Sequence, residues 1–222
     1  MKRIPLIAPS RSGHNWVCAM IRSWMPRTCQ VDPYENAVPE TFSKQYQAMI
    51  DSKACGELGP PILQVRDFLN WAASLIKLYT GEGESEKNAK QIHSHSGYWL
   101  AVAKEAGGHT SYFKDKHILI YDNFVESRAY RQELCRKIVG IYNESELGYV
   151  PNNGRFSSFD GRELQGRGYQ MDVTHRYRWF MTPDGERFLG YVAENREAVE
   201  YYRDNFELTK EKKKLTEKLL KA

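Results

Sequence analysis

The chain has 222 residues, of which 41% are hydrophobic, and this length is enough for one sizeable buried core. Its 32 basic and 28 acidic residues leave a net charge of +4, and no apolar run reaches the roughly 18 residues that a membrane helix needs. The segment 209–222 carries six lysines and two glutamates, so the rest of the chain is neutral, which does not favour a nucleic-acid-binding face. We expect one domain over 1–222, with a basic, solvated and partly frayed helix or tail at 209–222.

The cysteines and the N-terminus indicate a compartment. The 4 cysteines are scattered along the sequence, as expected for reduced thiols rather than for a disulfide framework or a zinc site. The apolar run after the first residues is far too short for a signal peptide. We therefore expect a cytoplasmic protein.

The first part of the chain alternates strand and helix patterns. Residues 4–8 form a short apolar run that predicts a buried strand, and large apolar residues then recur at helical spacing from Trp16 to Trp24. A short strand is predicted at 28–31, with a turn-rich loop at 32–36. A helix is predicted from Pro39 to about residue 50, because proline favours the first turn of a helix.

The rest of the chain continues this alternation. A strand at 62–65 leads into a helix for which Asp67 is a plausible N-cap. The further predicted elements are a polar loop at 81–87, a helix at 88–105, a buried strand at 117–121, a long helix at 125–142, a long surface loop at 151–172, and aromatic-rich packing helices at 175–180 and 195–206. Strands interleaved with helices predict an α/β fold of three layers, a parallel sheet with helices on both faces.

The turn between the first strand and the first helix has the composition of an anion site. Such a turn directs backbone N–H groups and the positive end of a helix dipole to one small volume. Gly13 allows close approach to the backbone, Arg11 adds a guanidinium, and Ser12 adds a hydroxyl. Arg66 also follows a predicted strand, so both arginines belong to the carboxyl edge of the sheet, where ligands of such folds bind.

Three stretches resemble the sulfotransferases that use 3′-phosphoadenosine 5′-phosphosulfate (PAPS). Arg11-Ser12-Gly13-His14-Asn15-Trp16 is similar to the first family motif, Pro-Lys/Arg-Ser-Gly-Thr-Thr-Trp, with His14-Asn15 in place of the two threonines. Val65-Arg66-Asp67 resembles the second motif, strand–Arg-Asp-Pro, and Ser74 keeps its spacing of eight residues after the arginine, although Phe68 replaces the proline. Ile118 to Phe124 resembles a family strand that ends in Tyr-Glu-Asp-Leu. The resemblance covers residues 4–142 in element order.

The resemblance implies a P-loop-NTPase-like sulfotransferase fold and transfer of a sulfuryl group from PAPS to an acceptor hydroxyl or amine, without a metal ion. It implies that Arg11, Ser12, Gly13, His14 and Asn15 hold the 5′-phosphosulfate, with Arg11 and His14 donating to the transferred group. It further implies that Trp16 stacks on the adenine and that Arg66 and Ser74 bind the 3′-phosphate. The family's glycine-containing basic loop near the C-terminus is matched by Arg155 in Gly154–Ser158 or by Gly166-Arg167-Gly168. The acceptor stays open among saccharides, small molecules, lipids and proteins.

Sulfuryl transfer also needs a general base for the acceptor. In the family this base is a histidine or a glutamate, and Pro39-Glu40-Thr41-Phe42 resembles the segment around the catalytic glutamate of heparan-type members. We therefore predict Glu40 as the base. The other candidates are Glu35, Glu57, His93 and His95.

Two alternative functions remain. A P-loop small-molecule kinase also begins with a strand, a glycine turn and a helix, but it needs a lysine and a hydroxyl after the glycine, where this chain has His14-Asn15. The second alternative is a non-catalytic nucleotide-binding module, because a fold alone does not determine a function.

Overall fold

The computed structural model of the protein describes residues 2–52, 57–80, 92–138, 140–145 and 171–222. In this part of the chain a parallel sheet is flanked by helices. Its strands are β1 (Lys2–Ala8), β2 (Cys29–Glu35), β3 (Glu57–Leu58), β4 (Ile62–Val65) and β5 (His117–Ile120). The strand order is β2-β1-β4-β5, the short β3 pairs with β1, and all these pairings are parallel. The predicted α/β class with a parallel sheet is confirmed.

Ten α-helices are formed by the described residues, together with a 3₁₀ helix at Arg176–Met181. The α-helices are α1 (His14–Trp24), α2 (Pro39–Ser52), α3 (Phe68–Thr80), α4 (Ile92–Ala106), α5 (Tyr121–Glu126), α6 (Arg128–Ile138), α7 (Pro183–Glu186), α8 (Leu189–Ala193), α9 (Arg196–Asn205) and α10 (Lys210–Lys221). No helix in these ranges is long and apolar enough to cross a membrane.

The strands present alternate residues to two apolar clusters. Ile7 and Leu63 belong to one cluster, whereas Leu6 and Ile62, their neighbours in sequence, belong to the other. Since successive side chains of a strand point to opposite faces, the two clusters lie on opposite faces of the sheet. The first cluster contains residues of α3, α4 and the C-terminal helices, and the second contains residues of α1 and α6. Helices therefore cover both faces, as the alternation predicts.

Two predicted element boundaries are wrong. The loop predicted at 32–36 is largely strand, because β2 continues through Pro33 to Glu35. β2 is an edge strand, where a missing N–H is tolerated. The long helix predicted at 125–142 is two helices that meet at Ser127, whose backbone is extended. The Ser127 hydroxyl accepts from the N–H of Tyr130 at 3.2 Å, so it caps the start of α6.

The end of the strand predicted at 117–121 also differs from the structure. Tyr121, predicted as the end of a buried strand, is instead the first residue of α5, and β5 is an edge strand in which Ile118 is 41% exposed. Asp67 is the N-cap that the sequence predicts, because its Oδ1 accepts from the N–H of Asn70 at 2.9 Å.

The C-terminal segment forms the predicted basic helix, α10, but one side of it is packed against the rest of the chain instead of being solvated and frayed. In α10, Leu215 and Leu219 are buried, and the Nζ of Lys212 lies 2.8 Å from the Oδ2 of Asp67. The Lys212 and Asp67 side chains are only 14% and 10% exposed, so this ion pair joins α10 to the start of α3 away from bulk water. The predicted loop at 81–87 and most of the loop at 151–172, with Arg155 and Gly166–Gly168, lie outside the described residues.

Candidate functional site

The turn between β1 and α1 has left-handed backbone at two positions. Arg11 has φ 61° and Gly13 has φ 84°. Gly13 is required there on two grounds: the positive φ strains any L side chain, and a Cβ would lie 2.3 Å from the Cε2 of Tyr121. Left-handed residues in a turn direct successive N–H groups into a concavity that suits an anion. Gly13 is also the N-cap of α1 and has no side chain to accept from the first N–H groups of that helix.

Arg66 lies against this turn, as expected from its position after β4. It is 1% exposed, and its Nη1 donates to the carbonyl oxygen of Arg11 at 3.0 Å. Its Nη2 donates to the carbonyl oxygen of Val173 at 2.6 Å, and its Cζ lies 5.0 Å from the centre of the Tyr121 ring. The two sequence motifs are therefore adjacent in the structure.

Several buried polar atoms around the turn have no hydrogen-bond partner among the described residues. They are Ser12 Oγ, His14 Nδ1, Gln64 Oε1 and Arg66 Nε. A buried donor without a partner costs about 1–3 kcal/mol, more when it is charged, so such atoms need an explanation. The Arg66 Nε–H and the Ser12 hydroxyl are the kinds of donor that a bound oxyanion satisfies.

The electrostatics of the turn favour the same ligand class. Burial and the neighbouring charge of Arg66 lower the pKa of Arg11, while Glu35 opposes this shift. A guanidinium stays protonated in proteins, so two positive charges remain close together in a partly buried place. An anion between or beside them would reduce this repulsion.

Glu35, at the end of β2, is the carboxylate that the fold brings to the turn. Its Oε1 accepts a hydrogen bond from the Ser10 hydroxyl, and its Oε2 lies 3.9 Å from the Nε2 of His14. Burial lowers the pKa of His14 from its ordinary value of 6.5, so its imidazole is neutral at pH 7. The Glu35 side chain is 45% exposed and is therefore accessible to a second substrate.

The other predicted bases lie elsewhere. Glu40 is in the first turn of α2, its side chain is 57% exposed, and the ion pair described for it is with Lys44, 3.8 Å away in the same helix. Glu57 forms an ion pair with Lys2. These two residues are the first pair in the register of β1 and β3, so Glu57 lies at the amino end of β1, away from the turn that follows its carboxyl end. His93 is exposed in α4, and His95 lies 3.2 Å from the hydroxyl of Tyr79.

The contacts described for Ser74 are with residues other than Arg66. Ser74 is 1% exposed, donates to the carbonyl oxygen of Asn70 at 2.8 Å and accepts from the Nη1 of Arg176 at 3.0 Å. Arg176, in the 3₁₀ helix, belongs to a segment that the sequence predicts only as packing. The cation that contacts Ser74 is thus one that sequence reasoning missed, and no motif in His175–Phe180 indicates it.

Trp16 and Asn15 complete the first motif. The Trp16 ring is half-buried and packs edge-on against Phe124, with centroids 5.4 Å apart, and against Tyr121 at 6.2 Å. Asn15 is exposed. Packing against α5 is therefore the role of Trp16 in this structure, and stacking on adenine stays a prediction.

A cavity of about 670 Å³ opens beside the ends of β4 and β5. Val65 and Asp67, which flank Arg66, line it together with Asp122, Tyr177 and Lys212. Burial and the nearby Asp67 raise the pKa of Asp122, which accepts hydrogen bonds from the N–H of Asp67 and from the side chain of Asn70. The volume is in the range of small-molecule sites.

Comparison of the chain with protein-family models, with curated proteins and with solved structures gave no match.

Proposed function

We propose that this protein is a PAPS-dependent sulfotransferase with a P-loop-like sulfotransferase fold. The observation that carries the proposal is the turn at residues 9–15, where left-handed backbone, the start of α1 and buried donors without a partner in the described part of the chain meet beside Arg66. The order and spacing of the two motifs support the choice of PAPS over other anions.

The residues at the turn fit a phosphosulfate. The N–H groups at the start of α1, the Ser12 hydroxyl and the Arg11 guanidinium would hold it. The 3′-phosphate is assigned to Arg66 and Ser74 with Arg176, because Arg176 contacts the Ser74 hydroxyl. The cavity beside Val65 and Asp67 is the proposed place of the nucleoside.

When bound, PAPS supplies a sulfuryl group that is already activated for transfer. The chain's own contribution is to hold that group, to stabilise the charge on the departing side and to receive the acceptor's proton. Arg11 and the start of α1 supply positive charge and N–H donors for the departing side. His14, whose pKa is lowered by burial, belongs to the turn and is the first residue of α1; its Nε2 faces Glu35 at 3.9 Å, and its Nδ1 has no hydrogen-bond partner among the described residues.

We assign the general base to Glu35 in place of Glu40. Glu35 is partly exposed, is held by Ser10 and lies beside the turn, whereas the contacts of Glu40 are within α2. A carboxylate in this position can accept a proton from an acceptor hydroxyl or amine as transfer proceeds. The acceptor class stays open.

The experiment that tests the proposal compares 3′-phosphoadenosine 5′-phosphate (PAP) with ADP by titration calorimetry. We expect PAP to bind at least about tenfold more tightly, because one charge-assisted contact to the 3′-phosphate contributes about 1.5–3 kcal/mol. Equal affinities would remove the 3′-phosphate site and favour a general nucleotide-binding module. Tight binding of PAP without any transfer from PAPS to a panel of phenols, amines and saccharides would favour the non-catalytic module specifically.

A further inference from the structure

The turn at residues 9–15 is held from one side by β4 and α3. The carbonyl oxygens of three consecutive residues of the turn each accept a hydrogen bond from a side chain of the segment 64–71, which runs from β4 into α3. Trp71 Nε1 donates to the carbonyl of Ser10 at 2.6 Å, Arg66 Nη1 to that of Arg11 at 3.0 Å, and Gln64 Nε2 to that of Ser12 at 2.5 Å.

Gln64 is unusual among the residues that make these contacts. It lies in β4, where all four residues are buried, and it is itself 0% exposed. Its Nε2 is used on Ser12, but its Oε1 has no hydrogen-bond partner among the described residues. A polar side chain in the middle of a buried strand, with half of its amide unsatisfied, lowers stability relative to an apolar residue of the same size.

Resting on the proposed function, we infer that Gln64 and Trp71 are positioning residues that fix the turn in its anion-binding form. A peptide plane is rigid, so a carbonyl that is held on one side directs the following N–H to the other. Holding the carbonyls of Ser10, Arg11 and Ser12 towards β4 and α3 therefore directs the following peptide N–H groups to the other side. The N–H of Ser12 is already used, because it donates to the carbonyl of Pro9 at 3.2 Å, so the donor that this arrangement offers to an anion is the N–H of Gly13, next to the first N–H groups of α1. Preorganised N–H donors bind an anion more tightly because they do not reorganise when it arrives.

If Gln64 positions the turn, its replacement should weaken anion binding and leave the stability of the fold nearly unchanged. In Gln64→Met the side chain keeps its length and loses both polar atoms. The variant removes one unsatisfied acceptor, Gln64 Oε1, and creates another at the carbonyl of Ser12, so the two costs offset each other. We expect a melting temperature close to that of the wild type and an affinity for PAP that is about tenfold weaker.

Trp71→Phe provides a second variant, which keeps most of the buried ring and loses the Nε1 donor. Its matched control is Trp24→Phe, because Trp24 is also buried and also donates its Nε1 to a carbonyl, that of Asn143 at 2.8 Å, at the far end of α1. Both variants lose one hydrogen bond from a buried indole. Only Trp71→Phe is expected to weaken anion binding, by several-fold.

The experiment measures affinity for PAP and for inorganic pyrophosphate by calorimetry, together with melting temperature and amide hydrogen exchange in the ligand-free protein. Support consists of weaker binding of both anions by Gln64→Met and Trp71→Phe, faster exchange at residues 11–15, and unchanged binding by Trp24→Phe. Gln64→Met and Trp71→Phe proteins that bind both anions as the wild type does would overturn the inference and leave the proposed function intact. A wild type that binds pyrophosphate but prefers ADP to PAP would overturn the proposed function alone, and the inference would then be decided on pyrophosphate. A wild type that binds neither anion would overturn both.

Discussion

Replacing Arg66 by methionine gives the most direct test of the link between the two motifs. The guanidinium makes two charge-assisted bonds, to the carbonyl oxygens of Arg11 and Val173, and keeps one buried donor, Nε, without a partner among the described residues. Methionine keeps the buried stem and removes all of these donors. The two lost bonds contribute about 1.5–3 kcal/mol each, which would be a large share of the 5–15 kcal/mol stability of a typical domain.

An opposing term reduces the loss of stability. Arg66 is a buried cation whose charge lowers the pKa of Arg11; no salt bridge is described for it, although its charge also acts on the buried Asp122 carboxyl and opposes the rise of that group's pKa. Burying a charge costs several kcal/mol, and the substitution removes this cost together with the repulsion between the two guanidinium groups, while it also removes the attraction to Asp122. We therefore expect a fall in unfolding free energy of no more than about 2 kcal/mol, or roughly 4–8 °C in melting temperature.

Binding is expected to change much more than stability. Loss of the contact to the 3′-phosphate should weaken the binding of PAP by about 1.5–3 kcal/mol more than the binding of ADP, which is roughly a ten- to 150-fold difference in affinity. The assay is calorimetry with both nucleotides on the wild type and Arg66→Met, so that damage to the turn, which affects both ligands, cancels. A ratio of PAP to ADP affinity that does not change with the substitution would refute the assignment of Arg66 to the 3′-phosphate.

Arg131→Met is the matched control. Arg131 is a buried arginine whose Nη1 donates to the carbonyls of Phe124 and Val125 at 2.8 and 2.9 Å, and it also pairs with Glu144 at 2.9 Å. Its loss leaves Glu144 without this partner and should lower stability. The affinities for PAP and ADP should stay at their wild-type values.

Two further predictions concern the groups beside the turn. In a transfer assay with an identified acceptor, Glu35→Gln should lower kcat by about 10²–10⁴ with nearly unchanged affinity for PAP, and Glu40→Gln should have little effect. A large loss of kcat in Glu40→Gln with little change in Glu35→Gln would assign the base to Glu40 instead. The pKa of His14 is lowered in the folded chain, so the unfolded chain binds more protons as the pH falls below 6.5. The contribution of neutral His14 to the free energy of unfolding is therefore complete above that pH and is lost as the pH falls. Melting temperatures recorded from pH 7.5 to 5.0 should therefore fall less steeply for His14→Gln than for the wild type, and parallel curves would contradict this origin of the pH dependence.

The sequence predicts most of the first half of the fold because the local patterns there are unambiguous. The apolar runs at β1 and β4 are short and bounded by turn residues, and Pro39 begins α2 as expected. The failures occur where tertiary context decides. Pro33 indicates a loop in isolation but is tolerated in β2 because that strand lies at the edge of the sheet. The serine that divides α5 from α6 looks, in a helical pattern, like any other surface residue.

At the C-terminus the same limit has a different cause. The lysines of α10 predict a solvated face, and its leucines predict a weak apolar stripe. The helix is packed through its buried leucines and is joined to a partner 145 residues away, Asp67, which pairs with Lys212 and also accepts from Tyr202 at 2.5 Å. Periodicity within the helix cannot indicate such a partner.

The candidate site shows which of its residues a sequence can reveal. The residues proposed to bind the anion are concentrated in short motifs, so Arg11, Gly13 and Arg66 are found by composition and spacing. Gln64 and Trp71, which hold the other side of the same backbone, are 50 or more positions away, and they contact carbonyls, which every residue type possesses. Glu35 is found only as one of several carboxylates between the motifs, because nothing local indicates that β2 extends far enough to bring it to Ser10.

Gln64 is the exception, and it shows where such a search should begin. In the apolar run Ile62–Val65 it is the single polar residue, and a buried strand accepts such a residue only at a cost in stability. That cost has to be offset by a hydrogen bond that the fold or the function needs. Gln64 makes this bond to the Ser12 carbonyl, and the strand therefore supports the candidate anion-binding turn through a residue outside the motifs. A lone polar residue in a buried strand beside a predicted anion-binding turn is thus a sequence signal for the support of the site, although the motif itself lies elsewhere.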